Sequence, residues 1–237
     1  MIEVKHGQIP AFSVYLFDID GTLLDSAEDI CTAIQQVLIA NGSEARSFDY
    51  LKSFIGLHLN DCFRDALPHC SPERSHELVD QYRAIYHGRR HQGTRVFPGV
   101  AEGLAALGGR KSTATTKGSL TTRAVLEQFG LLQHFDHVQG TDGFASKPEP
   151  DVIFTALSAL GARPEQCLFV GDSPADMEAG RRAGVQICAV RYGYGKPEEL
   201  ARFEPDYWVD DLRELAAARG GPALLEPAGP ADSGSAA

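Results

Sequence analysis

The chain has 237 residues, of which 43% are hydrophobic, and its formal net charge at pH 7 is -10. This length and this hydrophobic content suffice for one large domain, or for a core with a small accessory unit. The acidic balance argues against nucleic acid or an anionic membrane as partner, because both favour basic surfaces.

The first predicted element is a short buried strand over residues 14–17, whose sequence is Val-Tyr-Leu-Phe. Asp18 and Asp20 follow it two positions apart, and Gly21 then permits a sharp turn. Side chains two positions apart on a strand point to the same side, so the two carboxylates begin as neighbours. Such a pair favours a bound cation or proton chemistry, although Asp and Gly are also common in ordinary surface turns.

From residue 26 to about residue 96 the sequence shows only helical patterns. Ser26 is predicted to cap a first helix that Gly42 closes, and shorter helices are expected over residues 48–55 and 59–67. A fourth helix begins at Ser71-Pro72. A helical insert directly after the acid pair would stand over the site, where it either opens and closes or only packs.

Beyond residue 96, apolar runs alternate with helical stretches, and each run closes with polar residues. The runs cover residues 111–114, 135–138, 167–170, 186–190 and 207–209. This alternation predicts an α/β fold, a Rossmann-like parallel sheet with helices on both faces. In such sheets the ligand sits at the carboxyl ends of the strands. The polar residues expected there are Asp18, Asp20, Thr115, Thr116, Asp142 and Asp172.

We therefore divide the chain into three parts. Residues 1–25 and 97–219 form the α/β core, residues 26–96 form a helical cap inserted after the first strand, and residues 220–237 form a tail. The tail consists mainly of Gly, Pro, Ala and Ser, which is too little apolar surface to offset the entropy of ordering, so disorder is expected there.

The cellular location is predicted from the cysteines and from the apolar runs. Five cysteines are odd in number and show no paired Cys-x-x-Cys spacing, which argues against a disulfide framework or a zinc site. No apolar run could span a bilayer, and residues 1–10 lack the apolar core of a signal peptide. We expect a cytoplasmic protein with reduced thiols, and both a monomer and a homodimer are compatible with its size.

Four short motifs, in the expected order, resemble those of the haloacid dehalogenase superfamily. The chain is most similar to the phosphatase branch with a helical cap after the first strand, and its general sequence style resembles phosphoglycolate phosphatases. The motifs are Asp18-Ile19-Asp20-Gly21-Thr22, Thr115, Lys147-Pro148, and Gly171-Asp172-Ser173-Pro174-Ala175-Asp176.

The resemblance implies a magnesium-dependent phosphatase that acts on a small phosphorylated metabolite through an aspartyl phosphate. Asp18 would be the nucleophile and Asp20 the general acid and base. Asp18, Asp172 and Asp20, the last through its backbone carbonyl, would hold Mg²⁺. Asp176 would act one shell further out, orienting waters or the lysine.

The resemblance further implies a phosphate-binding set made by Thr115, Lys147 and the backbone amides near Thr116. Each side chain also has a simpler interpretation: Lys147 as a solvated loop residue, and Thr115 as a hydroxyl at the end of a strand. The likeliest contacts of the cap with substrate lie over residues 54–58, where His58 could meet a carboxylate or lie exposed.

Two other functions stay open at this point. Sugar phosphomutases of the same cap class share both acids, Asp18 and Asp20. Phospho-accepting signalling modules also combine clustered aspartates with a hydroxyl residue and a lysine, but they carry the acceptor on a middle strand and have no cap.

Overall fold

The computed structural model describes residues 9–67 and 69–217, so the predicted tail over residues 220–237 lies outside the described residues. The strands are β1 (Val14–Phe17), β2 (Leu24–Asp25), β3 (Arg95–Val96), β4 (Arg110–Thr113), β5 (Cys167–Gly171), β6 (Gln186–Val190) and β7 (Tyr207–Val209). In the described ranges, no helix is long and apolar enough to cross a lipid bilayer.

The helices fall into a first group between β2 and β3 and a second group that alternates with the later strands. The first group is α1 (Ala27–Ala40), α2 (Phe48–Lys52), α3 (Leu59–Ala66) and α4 (Pro72–Gly88). The second group is α5 (Val100–Ala106), α6 (Ser119–Gln128), α7 (Asp151–Ala159), α8 (Pro174–Ala183), α9 (Pro197–Leu200) and α10 (Glu214–Ala217). Short 3₁₀ turns lie at Leu132–His134, Pro164–Gln166 and Ala201–Phe203.

Five strands form one parallel sheet in the order β4-β1-β5-β6-β7. Strand β1 lies inside the sheet, next to the edge strand β4, because Val14 pairs with Arg110 of β4 on one side and with Cys167 of β5 on the other. Its residues alternate between two apolar clusters: Tyr15 and Phe17 join one, whereas Val14 and Leu16 join the other. The prediction of a Rossmann-like parallel core is therefore confirmed.

The helical segment between β2 and β3 has an apolar cluster of its own, which runs from Ile30 in α1 to Tyr86 in α4. Two chain crossings connect it to the sheet, and they pair as an antiparallel ribbon in which Leu24 faces Val96. The segment follows the first strand of the sheet, as the predicted fold requires. We retain residues 26–96 as the proposed bounds of the cap.

The strand predicted over residues 135–138 is wrong. This segment runs beside β4 as irregular chain: the Asp136 amide donates to the Lys111 carbonyl at 2.9 Å, and further on an isolated bridge joins Thr115 and Gly140. Side chains make the other contacts: the Thr113 hydroxyl both donates to the Gln139 carbonyl and accepts from the Gln139 amide. The Asp136 carboxylate likewise accepts from the Lys111 amide. An apolar run cannot reveal that side chains will make part of the pairing.

The two ends of the helical segment are joined through Asp29, whose carboxylate is fully buried in the first turn of α1. It accepts hydrogen bonds from the Arg89 guanidinium at 2.7 Å, the Gly93 amide at 2.9 Å and the Thr94 hydroxyl at 2.8 Å. All three donors follow α4, where the chain leaves the segment. These hydrogen bonds therefore join the start and the end of the helical segment near the core.

We expect Asp29→Ala to destabilise the protein by about 3 kcal/mol, because it leaves a guanidinium and two other donors without their acceptor in a buried place. The measurement is urea unfolding followed by circular dichroism at pH 7. Asp80→Ala is the matched control, since Asp80 pairs with Arg83 on the exposed surface of α4. Equal unfolding midpoints for the two variants would contradict the role assigned to Asp29.

Candidate active site

Three neighbouring strands end at the same edge of the sheet and deliver the candidate residues to it. Asp18 follows β1, Asp172 follows β5, and Ala114-Thr115 follow β4. The Asp18 amide donates to the Val170 carbonyl at 3.0 Å, which continues the parallel ladder to the first acid. The carboxyl ends of parallel strands meet at one edge, so the acids converge although they are far apart in sequence.

Lys147 lies at the centre of this edge, fully buried. Its ammonium donates to Asp18 Oδ1 at 2.8 Å, to Asp176 Oδ1 and to the Ala114 carbonyl at 3.1 Å. Burial lowers the pKa of Lys147, but the Asp176 and Asp18 carboxylates outweigh it and raise that pKa above its ordinary value. The lysine is therefore a charged hub of the site, and the interpretation as a solvated loop residue is excluded.

Asp172 is held by donors from two other loops. Its Oδ1 accepts from the Thr22 hydroxyl at 2.9 Å, and its Oδ2 accepts from the Tyr194 amide at 2.8 Å. Gly21, at φ +90°, is needed here because a Cβ would lie 2.2 Å from Asp172 Oδ2. Gly193 is equally constrained, with a Cβ position 2.3 Å from the Asp172 Cβ. Sequence reasoning missed Gly193, because the local sequence Gly193-Tyr194-Gly195 contains no signal that places it beside Asp172.

Asp176 occupies the first turn of α8 and connects the helix to the site. Its Oδ2 accepts from the Ser173 amide at 3.0 Å, the Ser173 hydroxyl at 2.7 Å and the Asp172 amide at 3.2 Å. Its other oxygen accepts from Lys147. Asp176 therefore orients both the lysine and the backbone that carries Asp172, as a supporting residue is expected to do.

A divalent cation fits this acidic group. Oxygens of Asp18, Asp172 and Asp176 all lie within 4.8 Å of one another, and among the described residues only Lys147 forms salt bridges with this trio. Burial is the main reason that the pKa of Asp18 is raised to about 6, and it also raises the pKa of Asp172. Buried carboxylates with one ammonium between them retain negative charge, and hard oxygen donors suit Mg²⁺.

The Asp20 side chain turns away from that group. Its Oδ1 accepts from the Ser26 hydroxyl at 2.5 Å, and its Oδ2 accepts from the Lys117 ammonium at 2.5 Å. Ser26 precedes α1 as predicted, but its side chain makes no capping hydrogen bond with the helix. The two neighbouring acids therefore have different partners, which suits them to different roles.

Thr115 and Thr116 lie on the loop after β4. Thr115 is fully buried, and its carbonyl accepts from the Thr141 hydroxyl at 3.0 Å. Thr116 is half-buried and lines a cavity between the sheet edge and the helical segment. Asp142, which was expected to join the acids, is exposed, and its carboxylate accepts from the Ser119 amide at the start of α6. Asp142 therefore caps a helix and lies outside the acidic group.

A cavity of about 530 Å³ opens between the sheet edge and the helical segment. Asp20, Thr116 and Lys117 form its core side, and residues 54–58 with α4 form the opposite side. The loop approaches the core closely: a Cβ on Gly56 would lie 3.1 Å from the Ser173 Cβ, and His58 Nδ1 is 3.4 Å from the Ser146 hydroxyl. A ligand in this cavity would touch Asp20 and the helical segment together.

Lys117 is the charged residue of the site that sequence reasoning missed. The sequence shows only a lysine two places after Thr115, with nothing to mark its partner. In the structure it reaches Asp20, and its ammonium lies 4.9 Å from the centre of the Tyr86 ring on α4. It therefore links an acid of the core to the helical segment.

Comparison with known proteins shows the family to which this chain belongs. The family model for haloacid dehalogenase-like hydrolases matches residues 15–190. A phosphoglycolate phosphatase from Cupriavidus necator is 36% identical over 222 residues, which cover 90% of this chain and 93% of that protein. A 5'-nucleotidase from Pseudomonas aeruginosa is 34% identical over 205 residues, with 84% and 92% covered.

A solved structure shows the same architecture. It is a haloacid dehalogenase-like family hydrolase from Streptococcus pneumoniae, which superposes with a TM-score of 0.80 at 28% identity and covers 87% of this chain and 97% of its own. The family model and the sequence relatives show the family that the four motifs resemble. The chain belongs to the haloacid dehalogenase-like hydrolase family.

Proposed function

We propose that the protein is a magnesium-dependent phosphatase that hydrolyses a small phosphate monoester through an aspartyl phosphate on Asp18. One observation carries the proposal: Asp18 is buried against Lys147, while Asp20, two residues away, faces the cavity with separate partners. A nucleophile and an acid-base group need such different surroundings. The names of the two sequence relatives agree with phosphate ester cleavage.

In the first step, Lys147 holds Asp18 Oδ1, and we assign the attack on phosphorus to the other oxygen. A bond forms between that oxygen and phosphorus as the bond from phosphorus to the ester oxygen breaks. Asp20, in its acid form, gives its proton to the departing oxygen, so the alcohol leaves neutral. Thr115, Lys147 and the backbone near Thr116 would hold the other phosphoryl oxygens.

In the second step, Asp20 takes a proton from water, and the resulting hydroxide attacks phosphorus. The bond between phosphorus and Asp18 breaks, which releases inorganic phosphate and restores both carboxyl groups to their starting states. Mg²⁺ would be held by Asp18, Asp172 and the Asp20 backbone carbonyl, and it would supply positive charge for the phosphoryl oxygens. Asp176 would keep Lys147 and the Asp172 backbone in place.

Phosphoglycolate is the leading candidate substrate, because a relative with that activity is 36% identical over nearly the whole length of both chains. A sugar phosphomutase is the second candidate that the motifs allow, and the substrate panel separates the two. We also retain two earlier expectations as proposals, a cytoplasmic location and a monomeric or homodimeric state.

The deciding experiment is phosphate release from phosphoglycolate, sugar phosphates and nucleoside monophosphates, with and without Mg²⁺. Metal-dependent release would support the phosphatase, and the order of kcat/KM values would name the substrate. A protein that releases no phosphate but interconverts sugar phosphates would be the mutase. A protein that shows neither phosphate release nor interconversion of sugar phosphates would contradict the proposal.

Asp18→Asn should lower phosphate release by about a thousandfold or more, because an amide is a poor nucleophile toward phosphorus. Steady-state kinetics on the best ester of the panel measures the loss. Asp142→Asn is the matched control: it is the same Asp to Asn change, but at an exposed residue that caps α6 and lies outside the acidic group. We expect the control to keep kcat within about threefold of the native protein.

A control that lost as much activity as the variant would show that the loss in Asp18→Asn is not specific to the position of the proposed nucleophile. A native-like rate for Asp18→Asn would remove the aspartyl phosphate from the mechanism.

Metal binding should appear as a thermal shift at pH 7.5, with Mg²⁺ raising the melting temperature above that in chelator. The pKa of Asp18 is raised to about 6, mainly by burial. Because the folded value exceeds the ordinary carboxyl value, the stability that protonated Asp18 contributes is present at low pH and is lost as the pH rises through about 6. Mg²⁺ takes the place of that proton, so its stabilising shift should shrink as the pH falls from 7.5 to 5.

Asp172→Asn should remove most of this shift, because it takes away one of the candidate metal ligands. The Asp142→Asn control should show the native shift. A shift of equal size in Asp172→Asn would place the metal elsewhere.

A further inference from the structure

Lys117 stands between Asp20 and the cavity. Its side chain is only 12% exposed, and its ammonium pairs with Asp20 Oδ2 on the core side while it lies over the Tyr86 ring on the other. Burial lowers the pKa of Lys117, but the Asp20 carboxylate and the Tyr86 and Tyr82 hydroxyls raise it well above its ordinary value. The side chain is therefore a buried cation next to the position where a leaving group would emerge.

Both oxygens of Asp20 are engaged in this arrangement. The Ser26 hydroxyl holds Oδ1 and Lys117 holds Oδ2, each at 2.5 Å. An acid that protonates a departing oxygen needs one carboxyl oxygen to face that oxygen directly. The Lys117 ammonium occupies this place, so productive binding requires it to move away from Oδ2.

Other basic side chains around the cavity are more exposed to solvent than Lys117, which screens their charge more strongly. They are His58, His76, Arg83 and His87, and all four are exposed in the described part of the chain. Arg83 already pairs with Asp80 on the surface. A ligand that enters beside Asp20 therefore meets Lys117 as its nearest buried positive charge. This matters in a chain of net charge -10, where an anion must be held by local cations.

We propose that Lys117 selects phosphate monoesters whose alcohol half carries an anionic group near the ester oxygen, by exchanging its ion pair with Asp20 for one with that group. The inference rests on the proposed phosphatase function and narrows its substrate class. A neutral alcohol half offers Lys117 no replacement, so freeing Asp20 would leave a buried ammonium without its ion pair. An anionic half offsets that cost, and Asp20, once free of the ammonium, takes up from solvent the proton that it later gives to the departing oxygen.

The test uses two matched substrate pairs that differ in the anionic group. The first pair is phosphoglycolate and its amide, and the second is 3-phosphoglycerate and glycerol 3-phosphate. For the native protein, we expect kcat/KM to favour the anionic member by at least about tenfold in the better-cleaved pair, the usual effect of a charge-assisted hydrogen bond.

Lys117→Met should reduce this preference by about tenfold, whatever happens to the overall rate. Lys117→Arg keeps the charge and should retain most of the preference. Lys196→Met is the control for losing one lysine charge, because Lys196 is exposed and pairs with Glu199, and it should leave the preference unchanged. Circular dichroism melting establishes that each variant is folded.

Three outcomes would overturn the inference. Native protein that cleaves both members of each pair equally well shows no such selection. Equal losses on both members in Lys117→Met would mean that the lysine only positions Asp20. If no ester is cleaved by the native protein under any metal condition, the proposed phosphatase function itself is wrong, and that failure is distinct from an unchanged preference.

Discussion

The structure depends on one buried ammonium shared among carboxylates. Lys147 contacts Asp18 and Asp176 directly, and Asp176 in turn holds the backbone amides of Asp172 and Ser173. Buried acids at such distances repel one another, so the arrangement is stable only because each has a donor or a cation to compensate its charge. The parallel sheet makes this possible, since it brings three strand ends to one edge without any long loop to position them.

The two catalytic candidates, Asp18 and Asp20, are close in sequence but have different hydrogen-bonding partners. Asp18 belongs to the buried network of the sheet edge, whereas Asp20 belongs to the cavity through Ser26 and Lys117. A strand that continued would place the pair on one side, but β1 ends at Phe17, and the Asp20 side chain faces the cavity and the helical segment. One short motif thus produces two groups with different electrostatic surroundings, which is the usual way that neighbouring acids acquire different tasks.

Sequence reasoning recovered the parts that depend on chain order and period. The buried β1 run, the alternation of strands and helices and the four motifs all follow from local patterns. The prediction of a strand over residues 135–138 was wrong, because the Thr113 hydroxyl and the Asp136 carboxylate make some of the hydrogen bonds that a regular ladder would make. Lys117 was missed because its partners are distant in sequence. Asp20 lies 97 residues before it, and Tyr86 lies on α4. No local pattern encodes such contacts.

The helical segment contacts the residues that hold the acids at more than one point, so its position affects the orientation of the acids. Tyr194 gives its backbone amide to Asp172, while its hydroxyl accepts from the Ser26 and Ala27 amides at the start of α1. The Lys52 ammonium of α2 lies 4.6 Å from the centre of the same ring. A shift of the helical segment would therefore disturb the loop that holds one acid, as well as the Lys117 contact that holds another. Because both acids are linked to the segment by these contacts, its position and their orientation are coupled in this arrangement.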